Sequence, residues 1–82
     1  MKPKVGDRVG AILSANATTV NLLGYGVYDG DLEGGPAPFP NPRITLDDGR
    51  IVWGCECWWG AEEQVKASIG NRQVVMASIE AA

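Results

Sequence analysis

Asp48-Gly49 constrains this chain more than any other pair of residues. It separates Arg43–Asp47 from Arg50–Trp53, two runs carrying β-branched residues, and an Asp-Gly step between such runs is a strong type I′ hairpin signal. A two-residue turn there predicts Leu46 opposite Ile51 and Ile44 opposite Trp53. Period two then puts all four side chains on one face, so turn chemistry and hydrophobic pattern agree on a register. In that register Trp53 is a core anchor. Arg43 falls on the other face, within diagonal reach of Glu56. The second strand is expected to run on through Gly54-Cys55-Glu56-Cys57.

Other segments read by the same rules. Val5 to Val9 is a turn feeding a strand in which Val9, Ala11 and Leu13 share a face. Ser14 to Thr18 is small and polar, a loop. Thr19 to Tyr28 is rich in β-formers. Its alternation changes face at Leu22-Leu23, which indicates a bulge or a strand buried on both sides. Gly24 and Gly26 bracket Tyr25, as where a strand bends or another backbone comes close. Gly30 to Pro42 has proline at 36, 38, 40 and 42. Alternate prolines remove backbone donors, so this segment reads as a stiff loop and less readily as a polyproline ligand. Ala61, Val65 and Ile69 form an apolar stripe at helical spacing. Glu62 and Glu63 suit the first turn, Glu62 and Lys66 form an i,i+4 pair, and Gly70 is a stop. Gln73 to Ile79 is a last strand, and Glu80 to Ala82 a tail.

The expected fold is therefore mainly β, a small SH3-like barrel of about five strands with one short helix before the last strand. All 82 residues make one domain. A chain this short has a marginal core, and such domains often add a disulfide, a metal or a partner subunit. The net charge is −3 and the bases are scattered, which argues against a nucleic-acid partner. No apolar run is long enough to span a membrane, and the N-terminus lacks a signal-peptide pattern. A cytoplasmic location is the default.

Few residues offer chemistry. There is no histidine, which removes the commonest general base and metal ligand, so no catalytic residues, metal site or cofactor are assigned and a non-enzyme is expected. Cys55 and Cys57 are two apart on an expected strand, at the upper edge of disulfide reach. They read as structural thiols; a metal or disulfide shared between subunits, and thiol redox chemistry, are the alternatives. Asp29, Asp31, Glu33 and Gly34 match the opening of an EF-hand loop, but Pro40 stands where its last ligand belongs, so a solvated acidic loop is the better reading.

Trp53, Trp58 and Trp59 are half of the six aromatics. So small a domain cannot easily bury all three, and exposed tryptophan is enriched at binding hot spots. Trp58 and Trp59 either form such a surface or cap the barrel end beneath the proline loop.

Three segments carry a family resemblance: Gly24-Tyr25-Gly26-Val27-Tyr28-Asp29-Gly30-Asp31, Asn41-Pro42-Arg43-Ile44-Thr45-Leu46-Asp47-Asp48-Gly49, and Trp53-Gly54-Cys55-Glu56-Cys57-Trp58-Trp59-Gly60. Across residues 24 to 60 the chain resembles a family of small, uncharacterised bacterial proteins associated with mobile DNA, such as gene cassettes and phage. The resemblance implies a small-barrel fold and carries over no catalytic residues.

Two functions follow as expectations. The first is a non-enzymatic binding module that recognises a protein or small ligand through Trp58, Trp59, Tyr25, Tyr28 and Glu56, with Asp29 and Asp31 at the rim. The alternative is a homo-oligomeric structural or assembly subunit with its interface on an open strand edge, Gly54 allowing a second chain to approach.

Overall fold

The structure is a computed structural model and describes residues 3–79; the tail at 80–82 and Lys2 lie outside the described residues. Six strands form one sheet: β1 (Arg8–Ala15), β2 (Thr19–Leu32), β3 (Asn41–Leu46), β4 (Ile51–Trp53), β5 (Trp58–Ala61) and β6 (Gln73–Met76). A 3-10 turn (Gly54–Glu56) precedes β5, and the helix α1 (Glu62–Ile69) lies between β5 and β6. The strand order is β4-β3-β2-β1-β5, with β6 added to β2. Every ladder is antiparallel except β2–β6. Among the described residues no ladder joins β4 to β5, so the sheet is open. No helix among them is long and apolar enough to cross a membrane.

β2 organises the molecule. Its first part, Thr19–Leu22, lies between β1 and β6; its later part, from Gly26 to Leu32, pairs with β3. The doublet Leu22-Leu23 sits at a bulge: Ala11 pairs with Gly24 and Ile12 with Leu22, leaving Leu23 as the extra residue. A second shift follows at once on β1, where Leu13 is extra between Ile12 and Ser14. Each bulge turns its strand over. Leu22 and Ile12 therefore bury on one face with Val20, against Val65 and Ile69 of α1. Leu23 buries on the other, with Val9, Ala11, Tyr28, Ile44, Leu46 and Val52. Leu13, expected on the face of Val9 and Ala11, is instead 40% exposed.

The Asp48-Gly49 hairpin is present in a different register. Arg43 pairs with Trp53, Ile44 with Val52 and Thr45 with Ile51. Leu46 N–H donates to the Arg50 carbonyl, and Gly49 N–H donates to the Leu46 carbonyl. Gly49 has a φ of 92°. Asp47 thus belongs to a three-residue loop, a type I turn followed by a glycine in the left-handed region. One added loop residue shifts β4 by one and turns it over. Val52 is buried and Ile51 is 51% exposed, while Trp53 is half-buried and stands outside the main cluster. The register expected from a two-residue turn, with Trp53 as core anchor, is corrected accordingly. Arg43 pairs with Asp29 at 3.0 Å, and not with Glu56 as the two-residue register predicts.

Boundaries elsewhere move modestly. The proline segment is irregular from Glu33 to Pro40, and Pro42 lies inside β3. Helix α1 begins at Glu62 after Ala61 and stops at Gly70; Glu62 and Lys66 stand 3.7 Å apart. Beyond β6, Ala77 and Ile79 pack against the main cluster.

Candidate ligand-binding groove

β5 starts where the 3-10 turn ends, so the expected continuous strand through Gly54-Cys55-Glu56-Cys57 is broken. Consecutive residues on β5 point to opposite faces. Trp59 packs on the main cluster, its ring 5.0 Å from that of Tyr28 and tilted by 36°. Trp58, opposite Ile12 of β1, is 55% exposed.

The five residues expected to form one surface are thus dispersed. Tyr28 is buried and donates its hydroxyl proton to the Asp31 carboxylate, which pushes its pKa up to about 12. Trp59 stacks against it. Tyr25 is half-buried against the cluster beneath α1, with Lys66 Nζ 5.4 Å from its ring centre. Glu56 is exposed on the 3-10 turn. Of these five residues, only Trp58 presents an open aromatic face. The acidic rim is dispersed too: Asp29 accepts from Arg43 Nε at 3.0 Å and from Thr45 Oγ1 at 2.6 Å, while Asp31 is held by Tyr28. Among the described residues no cluster of three potential metal ligands exists.

The other expectations for this stretch divide as well. The residue beneath the proline loop is Trp53, whose indole comes so close to Gly35 that a Cβ there would stand 2.6 Å from the ring. Gly54 does face a close neighbour, but within this chain: a Cβ there would stand 2.6 Å from the Trp59 indole nitrogen. Cys55 and Cys57 are both free. Cys55 is exposed, whereas Cys57 is half-buried and its Sγ lies 3.4 Å from the Trp53 carbonyl. Burial pushes the Cys57 thiol up to about 11, helped by the nearby Glu56 and Cys55. A thiol so held is a poor nucleophile at neutral pH.

Beside Trp58 the surface opens into a groove of about 290 Å³, walled by Ile12, Leu13 and Ala15 of β1, by Ser68 of α1 and by Arg72 just beyond the helix. The β1 bulge makes this wall, because it sends Leu13 outward next to Trp58. Arg72 forms the polar end. Its guanidinium donates to the carbonyls of Asn16 (3.0 Å), Ile69 (3.3 Å) and Ser68, which fixes its position. Arg8, Arg43 and Arg50 each pair with a carboxylate; among the described residues Arg72 has no such partner.

Comparison with protein-family models, curated proteins and solved structures finds no match to this chain. The groove has to be read from its own chemistry. It offers an exposed indole, an aliphatic wall and one held cation. The sequence pattern puts Leu13 on the face of Val9 and Ala11 and leaves Arg72 among the scattered bases, so neither is expected at a site. Two signals were available: adjacent apolar residues Ile12-Leu13, which an alternating strand cannot bury on one face, and a lone base just past the helix stop.

Proposed function

We propose that this protein is a non-enzymatic binding module and that the groove beside Trp58 seats an apolar side chain of a partner protein with a carboxylate next to it. The observation that carries this reading is the pairing of a half-exposed indole with Arg72, which lacks a carboxylate partner among the described residues. Size supports a side chain over a cofactor, since about 290 Å³ is at the low end for small-molecule pockets. The other three arginines are engaged by carboxylates, which leaves little for tracking a phosphate backbone. The fold belongs to the same proposal. A 3-10 turn leading into a strand that pairs back onto β1 supports an SH3-like small barrel.

N-acetyl-leucine and its amide are minimal probes. Titrating each while following the amide and indole NMR signals should shift Trp58 and Arg72 saturably with the acid and weakly with the amide. Arg72→Gln should remove that difference, and Trp58→Ala should abolish both responses. Saturable shifts confined to Trp53 or Trp59, no shift at all, or equal binding of acid and amide would overturn the reading.

A further inference from the structure

Strand β6 is exposed along its whole length. Val74, Val75 and Met76 are 43%, 41% and 64% exposed. In a parallel ladder, alternate residues turn their N–H and C=O toward the partner strand. Gln73 N–H donates to the Thr18 carbonyl and Ala77 N–H to the Leu22 carbonyl. Val74 and Met76 therefore turn theirs outward, and among the described residues no other strand meets them.

Natural edge strands are usually guarded by a charge, a proline, a bulge or a covering loop. At β4 the loop residue Gly35 lies on Trp53. From Gln73 to Ile79 there is no charge, proline or glycine. The chain's net charge of −3 opposes contact between two copies over most surfaces. This uncharged run is where two copies meet with least repulsion.

We infer that β6 pairs antiparallel with β6 of a second copy, about a twofold axis at Val75. That register sets Val74 opposite Met76 of the second copy, and the reverse, as hydrogen-bonded pairs. Val75 meets its own equivalent between them. One face then carries the two Val–Met contacts and the other a Val–Val contact, all of them stabilising cross-strand pairs. The symmetry is isologous, so the association closes at two copies. Four residues make a small contact, so the dimer is weak and forms only in concentrated solution. This inference is independent of the groove at Trp58.

Sedimentation equilibrium from the micromolar to the millimolar range tests it, together with hydrogen exchange on the same samples. The parent should pass from monomer to dimer with concentration, and the Val74 and Met76 amides should exchange more slowly in the concentrated sample. Val75→Lys should be monomeric throughout while keeping the parent's circular dichroism and melting curve. Ile51→Lys, on the other edge, should still dimerise. A parent that stays monomeric, a dimer that survives Val75→Lys, or one lost with Ile51→Lys overturns the proposal. Should Val75→Lys fail to fold, amide exchange in the parent decides: rates at Val74 and Met76 that do not change with concentration overturn it.

Discussion

A Cβ at position 54 would meet the Trp59 indole nitrogen on one side and Pro42 Cβ, 2.9 Å away, on the other. Only a residue without a side chain lets the indole lie across the backbone at that point. Trp59 uses this gap to reach Tyr28 and the main cluster, and Trp53, two strand positions from Ile51, does not. Truncating Trp59 to Ala should therefore cost about 3 kcal/mol, at the lower end for a packed tryptophan because it is only partly buried. Trp53→Ala should cost less, since Gly35 covers its ring from a surface loop. Paired urea melts check the order; equal midpoints, or a larger loss at Trp53, would show that the indole of Trp59 is not a core member. The sequence pattern points the other way because a two-residue turn puts Ile51 and Trp53 on the core face, where the three-residue loop turns both outward, and because period-two alternation then runs straight through to Cys57. The 3-10 turn at Gly54–Glu56 breaks that alternation. Three residues with neither a proline nor a capping side chain to mark them give no local sign of such a turn.

Arg50 shows what one side chain does for several elements. It follows the hairpin loop, where Asp48 holds it at 2.7 Å. Its guanidinium then donates to the Leu23 carbonyl and, at 3.0 Å, to the Ala77 carbonyl. It joins the β3–β4 turn, the bulge of β2 and the segment after β6. Arg50→Ala should leave those carbonyls without this donor, and an unsatisfied buried acceptor costs about 1–3 kcal/mol. Residues 77–79 should lose protection from hydrogen exchange more than β1 or β3 does. Uniform loss over the whole sheet would show that Arg50 contributes only general stability. At this scale much was legible. The helix with its acidic first turn and glycine stop, the bulge at Leu22-Leu23 and the irregular proline segment follow from local chemistry. The hairpin's position followed too, but its register did not. Asp-Gly serves a two-residue turn and the end of a three-residue loop equally well, and only packing Val52 on the core decides between them. The dispersal of Tyr25, Tyr28, Trp58 and Trp59 was illegible for the same reason, because each faces a neighbour that the sheet brings from far along the chain.

Among the described residues, one thiol and one phenol hold their protons more tightly than usual. Cys57 is raised to about 11 by burial, with Glu56 and Cys55 adding to it, and Tyr28 to about 12 by its bond to Asp31. Unfolding lets both return to their ordinary values, so above those values the unfolded chain binds fewer protons and stability falls as pH rises. The stabilisation is complete below the ordinary thiol value and is lost as pH climbs through about 11 for Cys57 and about 12 for Tyr28. Denaturant midpoints measured from neutral to strongly alkaline pH should decline, and Cys57→Ala should flatten the first part of that decline. An unchanged profile in the variant would show that Cys57 is not protected by burial.

The order of pairing bears on how the chain meets the ribosome. β1 is flanked by β5, and the first part of β2 by β6. The earliest strands to be synthesised thus take their outer neighbours from the last. Until Ala61 and then Met76 emerge, a nascent chain holds β1 and β2 with apolar surface and backbone edges open. Such non-local pairing forms late and slowly, and unpaired edges are aggregation-prone while they wait. A stalled or prematurely terminated chain that ends before β5 would expose just those edges. Adding β5 and β6 is the step that covers the outer edges of β1 and of the first part of β2.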